Sequence, residues 1–114
     1  KEMFEKRAAT IVQTNALVCG GISEWRRIAA TAAGYGVVIA PHWFHDVHAP
    51  LVAATPGARW AEYFPDDQVL NFRRLIDRQL GHENGRLILH REAGLGFAFD
   101  EAMVRRYGCW TTVR

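Results

Sequence analysis

Gly34-Tyr35-Gly36-Val37-Val38-Ile39-Ala40-Pro41-His42 reads as the end of a helix, a tight break and a buried strand. Glycine is a poor helix residue, so Gly34 and Gly36 close whatever precedes them. Val37 to Ala40 is apolar without alternation, the pattern of a strand covered on both faces, and Pro41 stops it. Upstream, Trp25, Ile28, Ala29, Ala32 and Ala33 recur at helical spacing and give one apolar face, with Ser23 placed as the N-cap. Gly20-Gly21 breaks the chain before that helix. Thr10-Ile11-Val12, followed by polar Gln13-Thr14-Asn15, reads as an earlier strand with its end exposed. Downstream, residues from about Asp46 to Ala54 form a second helix ended by Pro56-Gly57, and Trp60 to Phe64 a third strand closed by Pro65. Strand, helix, strand, helix, strand, joined by short turns, is the order of parallel βα units.

After Pro65 the rhythm changes. Val69, Phe72, Leu75, Ile76 and Leu80 predict a further helix. Asn84-Gly85 is a turn, Arg86 to Leu89 a strand, Gly94-Leu95-Gly96 a second turn, and Asp100 the cap of a last helix through Arg106. This tail reads as a separate layer, which divides the chain at 1–65 and 66–114. Two and a half βα units are a piece of something larger, because a closed (β/α)8 barrel needs eight in about 250 residues.

The composition narrows the function. Of 114 residues, 49% are hydrophobic and 23% charged, enough to build a core and unlike a disordered chain. A net charge of +2 with scattered basic residues gives no footprint for nucleic acid. Arg73-Arg74 and Arg105-Arg106 are expected on solvated helix faces. The run needed for a membrane span, about 18 apolar residues, is absent. The two cysteines, Cys19 and Cys109, form no CxxC pair, so a reduced, cytoplasmic setting is the expectation, with one long-range disulfide as the alternative.

In parallel α/β folds, reactive groups gather at the C-terminal ends of strands. The first polar candidates there are Asn15, His42 and Glu62, one per strand. Four segments around them resemble, in order, the mandelate racemase/muconate lactonizing enzyme group of the enolase superfamily. Gln13 through Trp25, with Gly20-Gly21-Ile22-Ser23, is similar to that group's sixth-strand end and the turn opening its next helix. Ala40-Pro41-His42 resembles the seventh-strand end. Leu51 to Pro56 followed by Trp60-Ala61-Glu62-Tyr63 resembles the helix and eighth strand. Asn84-Gly85-Arg86-Leu87 and Gly94-Leu95-Gly96-Phe97 resemble the tail returning to the capping domain.

The resemblance implies an α/β fold: the C-terminal part of a (β/α)8 (TIM-type) barrel, about strands 6 to 8, plus the C-terminal tail of the capping domain. It implies a magnesium-dependent parent enzyme that removes the proton beside a substrate carboxylate, with the enolate stabilised electrostatically. The substrate would be a small-molecule carboxylate or sugar acid, and the parent a homo-oligomer. His42 would be the general acid/base, an imidazole being able to carry a proton either way near neutrality. Glu62 would hydrogen-bond the substrate carboxylate as a protonated acid. The magnesium ligands would lie on strands 3 to 5, outside this chain, leaving the isolated stretch inactive.

The sequence departs from that pattern in two places. The family carries aspartate where Asn15 stands, and an amide can orient an imidazole but supplies no charge. In a serine protease the same exchange costs about 10⁴ in rate. His42 is then better suited to protonating a leaving hydroxyl, which favours an acid-sugar dehydratase over a racemase or epimerase. Arg91-Glu92-Ala93 also stands where the family has prolines, which touches the rigidity of the tail.

Plainer roles exist for each candidate. His42 can be a strand-end histidine bonded to backbone, Glu62 a surface partner of Arg59, and Asn15 a turn cap. A non-catalytic paralogue is the reading in which Asn15 ends the chemistry. His42, His45 and His48 form an HxxHxxH run, but zinc motifs favour an i, i+4 pair, so His45 and His48 are placed at the pocket rim or in solvent. Trp25, Trp43, Trp60 and Trp110 are expected in core and interface packing, and Cys19 as a small buried hydrophobe. A small binding module, with Gly20 to Gly36 as half of a helix-turn-helix and Arg26 and Arg27 on phosphate, is the rival from another class.

Overall fold

The computed structural model describes residues 1–65 and 69–108. The chain forms two compact units, Lys1–Phe64 and Pro65–Arg114.

In the first unit, a short helix α1 (Glu2–Glu5) precedes strand β1 (Ile11–Val12), helix α2 (Ile22–Gly34), strand β2 (Val38–Ile39) and helix α3 (His45–Ala53). β1 and β2 are parallel, Ile11 opposite Val38 and Val12 opposite Ile39. The ladder continues through Val38 N–H to Thr10 O and Ala40 N–H to Val12 O. A parallel pair needs a crossover, and α2 supplies it. Its Trp25, Ala29 and Ala32, at i, i+4 and i+7, are buried with Phe4, Val12, Ala16, Val37 and Ile39 in one core. Ala33, counted in the apolar face from its spacing, lies exposed. The Trp25 indole N–H donates to Thr14 O at 3.0 Å, tying α2 to the chain just past β1.

The cap of α2 differs from the expectation. Gly21 is the N-cap, and no side chain bonds the helix start. Ser23 already lies inside the first turn. Because α2 runs through a turn at Tyr35 into β2, no second helix follows it, and the helix-turn-helix reading fails.

The third strand is much reduced. Ile39 bridges Ala58 in parallel, with Arg59 N–H donating to Ile39 O at 3.3 Å, and no ladder includes Trp60 to Phe64. Pro41 has no N–H to carry the pairing forward, so it ends where β2 ends. The sheet order is nevertheless the parallel one expected. Trp25 is a core residue, whereas Trp43 and Trp60 are exposed. Cys19 packs partly buried against the core. Cys109 and Trp110 lie outside the described residues, and with them any Cys19–Cys109 pairing.

In the second unit the helix expected between Val69 and Leu80 is a 3-10 turn at Asn71–Leu75. Long-range pairing ends it: Ile76 bridges Phe99 antiparallel, Asp77 N–H donates to Ala98 O and Asp100 N–H to Leu75 O. Arg73, expected on a solvated face, is buried and donates to Leu80 O at 3.1 Å. Strands β3 (Gly81–Glu83) and β4 (Arg86–Ile88) make a hairpin through Asn84 (φ 49°) and Gly85 (φ 73°), both left-handed as such turns require. Asp100 caps helix α4 (Glu101–Tyr107), accepting from Ala102 N–H at 2.9 Å and Met103 N–H at 3.1 Å, as its position predicts.

Candidate functional site

Three candidate residues follow the ends of the first unit's paired segments. Chain direction brings them there: Asn15 lies just past β1, His42 just past β2, and Glu62 just past the Ala58 bridge. Hydrogen bonds then join those three segments. Ala16 N–H donates to His48 Nε2 at 2.9 Å. His48 Nδ1 lies 2.6 Å from Trp43 O. Trp43 N–H donates to Glu62 Oε2 at 2.8 Å. A peptide N–H can only donate, so Nε2 is the bare nitrogen and Nδ1 carries the hydrogen toward the Trp43 carbonyl.

Trp43 and Phe44 link His42 to α3, and both have left-handed backbones, with φ of 60° and 43°. For residues other than glycine this conformation costs about 1–3 kcal/mol each and persists where surrounding contacts enforce it. Here Glu62 holds the N–H of Trp43 and His48 its carbonyl, so the peptide groups on both sides of that residue are clamped. The half-buried His42 ring stacks on the Trp43 indole, centroids 5.0 Å apart and planes 23° from parallel. Glu62 therefore holds the backbone next to His42, and among the described residues it makes no ion pair with Arg59. One carboxylate oxygen, Oε1, is left over for another partner.

Asn15 is buried and occupied by its own turn. Its Oδ1 accepts from Leu17 N–H at 2.8 Å, and its carbonyl accepts from Val18 and Cys19 N–H. Among the described residues no hydrogen bond joins its side chain to His42, so of its two expected roles the geometry displays the turn.

His45 and His48 are fully buried, against the expectation of rim or solvent positions. His45 packs on Tyr63 at 4.6 Å, and His48 lies beside Trp25 at 6.5 Å. Burial pushes the His48 pKa below the ordinary 6.5, the Trp43 carbonyl works in the opposite direction, and neighbouring His42 adds to the depression. His48 is the site residue that sequence reasoning passed over. Its signal was a lone imidazole inside the apolar run Val47 to Ala54. With both its nitrogens occupied, the HxxHxxH run does not offer three free imidazoles. Burial also raises the Cys19 thiol, with its own backbone opposing and Glu24 reinforcing the shift, so Cys19 is held as the thiol and not the nucleophilic thiolate.

Magnesium takes oxygen ligands, and the one strand-end carboxylate, Glu62, already holds a peptide N–H. Among the described residues no group of three or more His, Cys, Asp or Glu side chains could hold a metal ion. These residues do not by themselves fit magnesium; their chemistry is proton donation, hydrogen bonding and backbone orientation. No helix among them is long and apolar enough to cross a membrane.

Comparison with known proteins identifies the family of the chain. Residues 1–103 match the family model described as enolase C-terminal domain-like. The L-talarate/galactarate dehydratase of Salmonella typhimurium is 38% identical over 111 residues, covering 97% of this chain and 26% of that protein. The arabinonate dehydratase of Saccharolobus solfataricus is 29% identical over 95% of this chain and 30% of its own length. The chain thus spans between a quarter and a third of these relatives. Among solved structures, L-talarate dehydratase from Polaromonas sp. JS666, complexed with Mg and L-glucarate, superposes with a TM-score of 0.80 at 27% identity, over 91% of this chain and 28% of that one. The Salmonella typhimurium L-talarate/galactarate dehydratase liganded with Mg and L-lyxarohydroxamate gives 0.80 at 34% identity, over 91% and 25%.

Proposed function

Because the chain belongs to the enolase C-terminal domain-like family, we propose that it is the strand 6 to 8 portion and tail of a magnesium-dependent acid-sugar dehydratase. The observation that supports the reading is the clamp on Trp43, in which Glu62 Oε2 holds the N–H of the residue that follows His42 and His48 holds its carbonyl. The similarity to two sugar-acid dehydratases supports the substrate class. The whole enzyme works in the cytoplasm as a homo-oligomer, on a small sugar acid and without nucleic acid or membrane. Magnesium, if bound by oxygen ligands on barrel strands outside this chain, would supply charge to stabilise the enolate.

The residues of this chain account for the other half of the step. A base contributed from outside this chain would take the proton beside the carboxylate, leaving the electron pair on the enolate. Those electrons then expel the neighbouring hydroxyl, which departs as water with a proton delivered by His42 as imidazolium, leaving the neutral imidazole. The resulting enol becomes a keto acid by tautomerisation. Glu62 Oε1 faces the substrate carboxylate, while Oε2 keeps Trp43 N–H. Asn15, spent on its turn, gives His42 no negative charge to strengthen it as a base. That favours donation to a leaving hydroxyl over two-way proton exchange.

The test is the full-length protein with magnesium and a panel of acid sugars in deuterated water. Keto-acid formation that disappears in His42→Asn is the expected result. Deuterium incorporation without keto acid would make it a racemase or epimerase. No incorporation into any acid sugar would leave the non-catalytic reading.

A further inference from the structure

We infer that His48 is a positioning residue for His42: its two ring nitrogens tie the Asn15–Ala16 turn to the Trp43 carbonyl and so fix the strained backbone that carries the His42 imidazole. The inference rests on the proposed role of His42 as proton donor.

His48 is the fourth residue of α3 and is fully buried. A buried polar ring is costly unless both its nitrogens are satisfied. Here both are, and by backbone groups of two different strand ends: Ala16 N–H after β1 and Trp43 O after β2. The ring is rigid, so the two bonds fix a spacing as well as a pairing. The indole beside it belongs to Trp25, itself bonded to Thr14 O, so the wall behind the ring is anchored to the same turn.

The geometry downstream explains why such a brace is needed. His42 reaches α3 through two consecutive left-handed residues, Trp43 and Phe44. Left unconstrained, that dipeptide would relax toward ordinary backbone angles and swing the His42 ring away from its stack on Trp43. Glu62 restrains the N–H side of Trp43 and His48 the carbonyl side. Glu62 is also assigned to substrate; His48 has no second duty. Only a neutral imidazole with hydrogen on Nδ1 serves, because an imidazolium would point a donor at the Ala16 donor.

The experiment uses the full-length protein with magnesium. Ring ¹⁵N spectra of the wild type should show His48 with Nδ1 protonated and Nε2 bare; the opposite tautomer or an imidazolium near neutral pH overturns the inference. His48→Phe fills the space and satisfies neither partner. It should lower kcat about 100-fold, the scale of an ångström of misplacement, with KM within about twofold because no substrate contact is removed. His48→Gln keeps an acceptor for Ala16 N–H and His48→Asn a donor for Trp43 O. Each should recover part of the loss and sit about tenfold below wild type, one hydrogen bond's worth. These two variants carry the test if the phenylalanine variant does not fold. Phe4→Leu, which weakens the same core at a residue that packs on Tyr35 and not on the clamp, should leave kcat within about twofold. A His48 series that follows stability alone, as that control does, overturns the inference.

If the wild type makes no keto acid from any acid sugar, the function reading fails, and the displacement of the His42 ring-proton resonances by the Trp43 indole decides. Its loss in His48→Phe supports positioning; its retention overturns it.

Discussion

The two units hold their shape by different means. Lys1–Phe64 buries a Trp25-centred core of residues far apart in sequence, and hangs three strand ends on side-chain hydrogen bonds across it. Pro65–Arg114 relies on turns, a cap and short backbone pairings among its described residues, where Phe72, Phe97 and Phe99 meet edge to face at about 6 Å, with Phe99 57% exposed. A buried core can position a buried imidazole. Among its described residues the second unit buries a smaller apolar set, Leu70, Ile76 and Leu80. That contrast explains why the candidate chemistry gathers in the first unit.

The sharpest way to break the contrast is Trp25→Ala. It removes a fully buried indole and its bond to Thr14, and should cost about 3–5 kcal/mol, read as lost amide protection across the first unit. A cost under about 1 kcal/mol would mean that this core is not the organising feature. In the second unit the corresponding weak point is backbone shape. Gly96 sits at φ 77°, and a Cβ there would lie 2.6 Å from His90 Cβ. Gly96→Ala should therefore destabilise by about 1–3 kcal/mol, measured by denaturant midpoint. Asp100→Ala removes the α4 cap and should cost about 1 kcal/mol, seen as faster exchange at Ala102 and Met103.

Acid should separate the units most finely. His48 is held neutral, with its pKa lowered in the fold, so the unfolded chain takes up its proton first. Its contribution is complete above about 6.5 and is lost as pH falls from there through the lowered value. In the second unit the Glu92 carboxyl is held below its ordinary 4.5 chiefly by its hydrogen bond from Arg78, so that contribution is complete above 4.5 and is lost only below it. Exchange followed against pH should show the first unit loosening earlier, and His48→Gln should remove that early phase.

Much of this architecture is legible from local chemistry. The apolar run at Val37–Ala40, the helical spacing around Trp25, the Asn84-Gly85 turn and the Asp100 cap each declare themselves within a few residues. The misread parts depend on distant partners. Val69 to Leu80 carries helical spacing, yet Ile76 turns extended because Phe99 and Ala98 offer backbone pairing. Trp60 to Phe64 looks like a strand, but the pairing ends at Ala58 beside Pro41. His48 resembled a rim histidine because its partners, Ala16 N–H and Trp43 O, are backbone groups that no side-chain pattern announces. Asn15, His42 and Glu62 are candidates from their places in the sequence and from resemblance; the clamp that joins Ala16, His48, Trp43 and Glu62 had no such signal.

The most direct test of the account is a crystal structure of the full-length protein with magnesium and an acid sugar bound. The account predicts the His42 imidazole and Glu62 Oε1 within hydrogen-bonding reach of the ligand, about 2.6–3.2 Å, with His48 still bridging Ala16 and Trp43. A ligand seated against other side chains, with His42 and Glu62 turned away from it, would contradict the claim that these three strand ends form the reacting site.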